Sequence, residues 1–328
     1  MPSSPIDERR ILPNLNTAEW HDQATVGAWR LRGRIRDRLG LYFHGAWENP
    51  SWILIFTLGR FLLVRRLLAM ISRRTTPMDA SRSILFDGLA VDDVVEAVRD
   101  EGIYCGLRLP EQSLAEIRAF AQDHVCYGAF ERRFAFLARH HAQAEEVYGR
   151  RFLVGHFLDE IERCQAIGAL QNDPILKEIA TRYLRTDPVP ISTRLWWSFP
   201  SAMALDSELR QAAQDRLHTD INDWRSVKFF FYLTDVDLEA GAHIFFLRTH
   251  RQRLLRHQFS LFTGHTREAL VRGYGETALM TVCGEAGFGF AEDPFAFHSG
   301  TVVQRTPRLI LQIEFGVTRF SRARFYGG

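Results

Sequence analysis

The stretch His218-Thr219-Asp220 places two side chains that can bind a metal ion two residues apart. If this stretch is a β-strand, successive side chains point to opposite faces, so His218 and Asp220 point the same way. An imidazole and a carboxylate on one face supply two ligands of a facial triad of two histidines and one carboxylate. Such a triad holds Fe(II) on one side and leaves the other side open. The third ligand must come from elsewhere in the chain.

The distal histidine with the most suitable surroundings is His298, which follows an aromatic stretch and precedes a Ser-Gly-Thr run. Four other histidines follow Asp220 and compete as the third ligand, namely His243, His250, His257 and His265. We favour His298 because Arg308 opens the next strand-like run, and a guanidinium there can bind a carboxylate through two parallel hydrogen bonds. The alternative for Arg308 is an ordinary salt bridge, for which Glu314 is the candidate partner.

These residues, in this strand context, resemble the phytanoyl-CoA dioxygenase family of 2-oxoglutarate oxygenases. The resemblance covers the C-terminal half of the chain, from about Asp173 onward. It is carried by His218, Asp220, the strand end Tyr232-Leu233-Thr234-Asp235-Val236-Asp237, Gly241, His298 and Arg308. The chain departs from the family in one loop, where Leu247-Arg248-Thr249-His250 stands in place of the Pro-Gly-Ser-His of many relatives.

The resemblance implies a double-stranded β-helix, a jelly-roll variant, and it implies Fe(II), 2-oxoglutarate and O2 as cofactor and co-substrates. His218, Asp220 and His298 would bind the metal, and Arg308 would bind the distal carboxylate of 2-oxoglutarate. Asp220 favours hydroxylation, because related halogenases replace that carboxylate with a small residue so that chloride can coordinate. We therefore expect hydroxylation of an organic small molecule, with release of succinate and CO2.

Several neighbouring residues are candidates for contacts with the co-substrate. We expect a hydroxyl donor beside Arg308, from either Thr301 or Ser299. Trp196 and Trp197 alternate on a predicted strand, so one of them faces the pocket. The sequence does not decide which, and we include Trp197 among the predicted co-substrate contacts. By the same alternation, Lys228 faces either the site or the solvent.

Two other functions compete with this prediction. Two imidazoles and a carboxylate also suit Zn(II), but a zinc hydrolase needs a general base beside the metal-bound water, and Asp223 is the nearest acid in sequence. A serine hydrolase is not supported, because no G-x-S-x-G motif occurs. The second competing function is a non-catalytic β-core that acts as a membrane or partner adaptor through its basic N-terminal arm.

Composition is that of an ordinary soluble globular protein, with 46% hydrophobic and 24% charged residues among 328. The net charge of +2 implies no whole-protein attraction to nucleic acid. The four cysteines are widely spaced, which argues against a zinc ribbon and against a dense disulfide framework. The first ten residues lack the apolar core of a signal peptide. We expect a cytoplasmic protein that binds a small-molecule substrate.

Residues 1–75 form a distinct basic arm in this interpretation, and residues 76–328 form the oxygenase domain. The first 74 residues contain twelve arginines, no lysine and six acidic residues, a net charge of +6. At helical spacing, Phe61, Val64, Leu67, Leu68 and Ile71 share one face, and Arg65, Arg66 and Arg73 fall largely off it. We favour a helix that packs on the domain or on a second subunit of a homo-oligomer. The alternative is a membrane-surface contact through residues 52–74.

The order of predicted elements gives an α+β fold. Helical patterns precede Pro190, including one predicted over residues 145–169, and short strands separated by Gly and Pro turns follow it. One of those strands is predicted at residues 301–303. We therefore expect a double-sheet, jelly-roll β-core with flanking helices.

Overall fold

The computed structural model describes residues 50–71, 83, 85–86, 88–200, 217–260 and 264–318. Residues 1–49 of the predicted basic arm and its predicted boundary at residues 75–76 lie outside these ranges. The helices are α1 Pro50–Leu58, α2 Leu62–Ile71, α3 Val91–Asp100, α4 Glu111–Asp123, α5 His141–Tyr148, α6 Gln165–Asn172, α7 Pro174–Leu184, α8 Leu255–Gln258 and α9 Arg267–Tyr274. The strands are β1 Ile103–Arg108, β2 Cys126–Gly128, β3 Ala135–Phe136, β4 Val154–His156, β5 Val189–Ser198, β6 Ser226–Tyr232, β7 His243–Phe246, β8 Leu279–Val282, β9 Phe288–Glu292, β10 His298–Gly300 and β11 Arg308–Gly316.

Two antiparallel sheets form the β-core. The larger has eight strands in the order β1-β9-β6-β11-β5-β4-β2-β3, and the smaller has three in the order β10-β7-β8. A bridge between His218 and His298 adds the His218 segment to the β10 edge of the smaller sheet. Apolar side chains of both sheets, such as Phe230 and Phe245, pack together between them. The predicted α+β fold with a jelly-roll core is therefore confirmed.

Side-chain alternation along β11 decides what lies inside the core. Leu309, Leu311, Ile313 and Phe315 belong to the large apolar cluster that also contains helical residues of α3, α4, α6 and α7. The alternate positions of β11, which begin with Arg308, therefore point between the two sheets. Ile310 is one of them, and it joins the apolar cluster in the space between the sheets. The same rule places Lys228 of β6 in the interior, while Val227 and Phe229 face the helices.

The prediction of one helix over residues 145–169 is wrong. Helix α5 ends at Tyr148, because Gly149 adopts a left-handed conformation (φ 61°) that terminates it. Strand β4 then follows, and α6 begins only at Gln165. Helix α7 agrees with its prediction, since Asp173 caps it by accepting hydrogen bonds from Ile175 N and Leu176 N.

Two strand predictions also need correction. Residues 301–303 do not form a strand, and only Val303 makes an isolated bridge, to Ala240. The ordered strand lies three residues earlier, in β10. The His218 segment is likewise a short bridge rather than a regular strand, so its geometry depends on hydrogen bonds to β10 more than on strand alternation.

Helices α1 and α2 pack on the β-core beside the His218 segment. Ile55 forms a buried cluster with Ile221 and Phe295. Arg65 is buried, lies 3.5 Å from Asp293 Oδ1, and stacks over the Phe295 ring at 4.1 Å. The predicted orientation of α2 is therefore wrong, since Arg65 points inward while Leu67 and Ile71 are exposed. The ion pair and the ring contact outweigh the apolar stripe in fixing the helix. In the described part of the chain, no helix combines the length and apolarity needed to cross a bilayer.

Candidate functional site

The side chains of His218, Asp220 and His298 meet at one point. One potential ligand atom from each lies within 4.8 Å of the other two. His218 Nε2 is 3.8 Å from Asp220 Oδ1, and His298 Nε2 is 3.6 Å from Asp220 Oδ2. This geometry brings together the three residues that sequence analysis predicts as ligands, and two imidazoles with one carboxylate are a donor set that suits Fe(II) or Zn(II).

Backbone hydrogen bonds hold the three side chains in place. His218 and His298 exchange N–H···O=C bonds of 2.9 Å in both directions, and Asp220 N donates to Pro294 O at 2.9 Å. The ring of His298 is also fixed, because Nδ1 lies 3.0 Å from Ala296 O. A carbonyl can only accept, so Nδ1 carries a proton; Nε2 faces Asp220 and would offer its lone pair to a bound metal. Metal-binding histidines are commonly oriented in this way.

Lys228 lies in the interior and contacts the predicted metal ligand directly. Its Nζ donates a hydrogen bond to Asp220 Oδ2. Burial opposes ionisation of Asp220, but the ammonium of Lys228 and a hydrogen bond from His298 hold the pKa of this carboxyl well below its usual value. Burial likewise lowers the pKa of Lys228, yet attraction to Asp220 and Glu314 is stronger and leaves it raised. Asp220 is therefore held as a carboxylate.

A second buried carboxylate, Glu292, stands behind His298. Its Oε2 is 2.8 Å from His243 Nε2, and its Oε1, which has no hydrogen-bond partner, is 3.9 Å from His298 Nε2. Sequence analysis missed this residue. The available signal was alternation, because Phe288, Phe290 and Glu292 share one face of β9, and an acid that ends such a face is unusual. Its contact with Glu292 also occupies His243, a competing candidate for the third ligand.

Arg308 forms the other end of the pocket. Its guanidinium is buried and donates to Gly241 O and, at 3.1 Å, to Ser198 Oγ, while its Nε has no hydrogen-bond partner. Within the described residues no carboxylate pairs with it, and burial lowers its pKa. The alternative partner Glu314 instead accepts hydrogen bonds from Asn222 and Ser192. A buried guanidinium whose charge is not balanced by a carboxylate would be stabilised by an anionic ligand.

Strand β10 connects the two ends of the candidate site. His298 and Gly300 share a face of β10, about 7 Å apart along the strand. A side chain at Gly300 would begin 3.3 Å from Arg308 Nη1, so the glycine leaves space at the guanidinium. At Gly241 a Cβ would lie 2.7 Å from Val303 Cγ2, and φ is +84°, so this carbonyl acceptor also requires glycine.

The hydroxyl beside Arg308 comes from Ser198, which was not among the predicted donors. Ser299 lies between His298 and Gly300 on β10 and therefore points away from them; its Oγ donates to Gly300 O at 3.2 Å. A hydroxyl contact from Ser299 to Arg308 stays a prediction. Thr301 Oγ1 is buried and without a hydrogen-bond partner, so Thr301 stays a candidate.

Of the two adjacent tryptophans, Trp196 faces the interior. Its ring packs with the cluster between the sheets, whereas Trp197 packs with the helical side and its indole N–H donates to Ala121 O at 3.4 Å. The inclusion of Trp197 among the co-substrate contacts is therefore corrected to Trp196. The register explains it, since Trp197 is paired with the outward-facing Leu309.

The remaining competitors have other partners. His250 Nε2 lies 2.9 Å from Arg99 O, and His257 Nδ1 lies 2.7 Å from the Tyr274 hydroxyl. The His265 ring packs against those of His257 and Phe297. Asp223, the candidate base for a zinc hydrolase, accepts hydrogen bonds from the backbone N–H groups of Val317 and Thr318. It caps the end of β11 and has no contact with the predicted ligands.

No family model matches the sequence, and no curated protein matches it. The chain is similar in structure to the epimerase SnoN in complex with Fe3+, alpha ketoglutarate and nogalamycin RO, at 13% identity and a TM-score of 0.46, over 69% of this chain and 82% of SnoN. It is similar to AviO1 from Streptomyces viridochromogenes Tue57 at 16% identity and a TM-score of 0.45, over 70% of this chain and 96% of AviO1. It is also similar to EvdO2 from Micromonospora carbonacea var. aurantiaca complexed with 2-oxoglutarate, at 15% identity and a TM-score of 0.45, over 75% of this chain and 99% of EvdO2.

Proposed function

We propose that the protein is an Fe(II)- and 2-oxoglutarate-dependent oxygenase that hydroxylates a small organic molecule and releases succinate and CO2. The observation that carries the proposal is the pairing of two features in one pocket. One end gathers His218, Asp220 and His298. The other end holds Arg308, which is buried without a carboxylate partner among the described residues. A metal ion and a dicarboxylate together satisfy both ends.

The chain's own residues have separate tasks in this proposal. His218, Asp220 and His298 hold the metal from one side. Lys228 fixes the direction of Asp220 through its hydrogen bond. Arg308 binds the distal carboxylate of 2-oxoglutarate, where the two parallel hydrogen bonds of a guanidinium set both the distance and the plane of that group.

A bound Fe(II) supplies the one-electron and O2 chemistry that these side chains lack. Around it, Trp196, Phe230 and Phe290 present apolar surface between the sheets. Such surface excludes water, which strengthens the attraction between Arg308 and its anion. Asp220 keeps three protein ligands on the metal, which is the reason for proposing hydroxylation.

The proposal is tested by anaerobic reconstitution with Fe(II), followed by 2-oxoglutarate and O2. We expect succinate release that requires both Fe(II) and 2-oxoglutarate, and a screen of organic molecules scored by increased release would identify the substrate class. Calorimetry with Mn(II) in place of Fe(II) measures 2-oxoglutarate binding without turnover. A protein that binds Zn(II) tightly and ignores 2-oxoglutarate would contradict the proposal, as would a protein without metal affinity.

A further inference from the structure

Helix α2 turns its apolar stripe toward solvent. Five of its residues are exposed, and at 3.6 residues per turn they cover a single side of the helix. Only one of them is charged. They are Leu63 (69% exposed), Arg66, Leu67 (48%), Met70 (67%) and Ile71 (75%). A helix that exposes this side carries apolar surface that neither the β-core nor α1 covers.

The orientation of α2 is imposed from the opposite side. Arg65 lies 3.5 Å from Asp293 and stacks on Phe295, and Leu62 N donates to Gln258 Oε1 at 2.9 Å. These contacts hold Arg65 inside, so a rotation that buried Leu67 would break a buried ion pair. Loss of one partner from such a pair is strongly unfavourable. The exposed stripe is therefore a fixed feature of the fold.

Exposed apolar residues are concentrated around this helix. Ten large apolar side chains are exposed in the described part of the chain, and eight of them lie at residues 54–71 or 255–259. The two stretches are neighbours, because the rings of Phe61 and Phe259 meet at 5.1 Å and Arg66 Nη2 donates to Arg251 O at 3.1 Å. We call these eight residues the apolar patch; besides the four of α2 they are Leu54, Leu58, Leu255 and Phe259. Concentrations of this kind mark interaction surfaces.

The two stretches that carry the apolar patch are basic in sequence, although three of their six arginines (Arg60, Arg65 and Arg253) are buried and Arg251 pairs with Asp100. Residues 50–71 contain three arginines and no acidic residue, and residues 251–260 contain three more arginines and again no acidic residue. Arg66 and Arg256 are exposed among the apolar side chains. Apolar residues interleaved with arginine, without acids, are the composition of segments that lie on anionic lipid surfaces.

We infer that the apolar patch docks the protein on the surface of an anionic lipid bilayer. The apolar side chains enter the interface, and the exposed Arg66 and Arg256 meet the lipid phosphates. A second copy of the chain fits less well, because a two-fold contact would place the same arginines opposite each other. The inference is independent of the proposed enzymatic function, since none of the patch residues belongs to the metal or arginine ends of the pocket.

The test is co-sedimentation of the full chain with vesicles of phosphatidylcholine alone or mixed with phosphatidylglycerol. We expect binding to the anionic vesicles that weakens when the salt is raised from about 0.1 M to about 1 M, because the attraction of the arginines is screened. Leu63→Glu and Met70→Glu should each lower the partition coefficient about tenfold, since each removes an apolar contact and adds a repelled charge. Val147→Glu is the matched control, because Val147 is 79% exposed on α5, outside the apolar patch; it should bind as the wild type does.

Three outcomes would overturn the inference. The first is failure of the full chain to bind anionic vesicles. The second is equal binding by wild type, Leu63→Glu and Met70→Glu. The third is a dimer in light scattering that Leu63→Glu dissociates while vesicle binding is absent, which would identify the patch as a contact between copies. Thermal unfolding of each variant checks that the fold is retained.

Discussion

The two ends of the candidate site are both charged, but their charges are balanced differently. At the metal end, the Lys228 ammonium lies between carboxylates and donates to Asp220. At the arginine end, Arg308 donates to a carbonyl and a hydroxyl, no carboxylate among the described residues pairs with it, and its Nε has no hydrogen-bond partner. The charges at the metal end are thus largely balanced without a ligand, whereas the positive charge at the arginine end is left for an anion to balance. The proposed function places the metal at the first end and the carboxylate of 2-oxoglutarate at the second, and substitutions at each end test this proposal.

The largest effect is expected from Asp220→Ala. Two imidazoles alone leave the facial triad incomplete, so Fe(II) or Mn(II) affinity should fall by more than about 100-fold and 2-oxoglutarate turnover should be lost. Metal titration by calorimetry measures the affinity. Asp223→Asn is the matched control, because Asp223 is buried three residues away and serves the backbone N–H groups of residues 317 and 318. Equal metal affinity in Asp220→Ala and wild type would show that Asp220 is not a metal ligand.

Arg308→Leu should have the next largest effect, at the opposite end. Loss of a buried, charge-assisted pair costs about 2–5 kcal/mol of binding free energy, so 2-oxoglutarate should bind at least about 30-fold more weakly. Metal affinity should not change. Arg308→Lys separates charge from geometry, since lysine keeps the cation but lacks the planar fork.

The effect of Arg308→Leu on the free energy of unfolding provides a second test of the arginine end. Because Arg308 has no carboxylate partner among the described residues, its replacement by leucine should leave the free energy of unfolding unchanged or raise it in the absence of 2-oxoglutarate. Chemical denaturation measures this. A large loss of stability, or wild-type 2-oxoglutarate affinity, would show that Arg308 has a structural role and that another residue binds the carboxylate.

Lys228→Met should lower the free energy of unfolding of the metal-free protein by about 1–3 kcal/mol, because Asp220 loses its cation inside the fold. A divalent ion should then stabilise the variant more than it stabilises the wild type, since the metal replaces the missing charge. The melting temperature with and without Mn(II) measures both effects. The control is Lys177→Met, which replaces the only other lysine, a half-buried residue of α7 that donates to Asn172. Equal metal-induced shifts in all three proteins would contradict the balance described for the metal end.

The sequence alone was sufficient to predict the positions of residues that are marked by local spacing. His218 and Asp220 are two apart and Arg308 opens an apolar strand, so strand alternation predicted their directions, although hydrogen bonds to β10 and to Pro294 hold the His218 segment. It was insufficient where the answer depended on register between distant strands. Ser198 meets Arg308 because β5 and β11 pair antiparallel at those two residues. No local pattern encodes that pairing.

The error on α2 has a related cause. The prediction for α2 relied on its apolar stripe, whereas Asp293, more than two hundred residues away in the chain, draws Arg65 inward. Long-range ion pairs override helical amphipathicity at such a site, and the hydrophobic pattern of one helix cannot reveal them.

The smallest effect, and the finest test of the arginine end, is expected from Ser198→Ala. Ser198 Oγ accepts a hydrogen bond of 3.1 Å from Arg308 Nη2, so its removal leaves the guanidinium charged but less firmly oriented. A hydrogen bond of this kind contributes about 0.5–1.5 kcal/mol, which predicts about 2- to 10-fold weaker 2-oxoglutarate binding with unchanged metal affinity. Ser299→Ala provides the matched control, because its hydroxyl lies on the opposite face of β10 and donates to Gly300 O. If Ser299→Ala weakened 2-oxoglutarate binding and Ser198→Ala did not, the assignment of the hydroxyl at the arginine end would pass from β5 to β10.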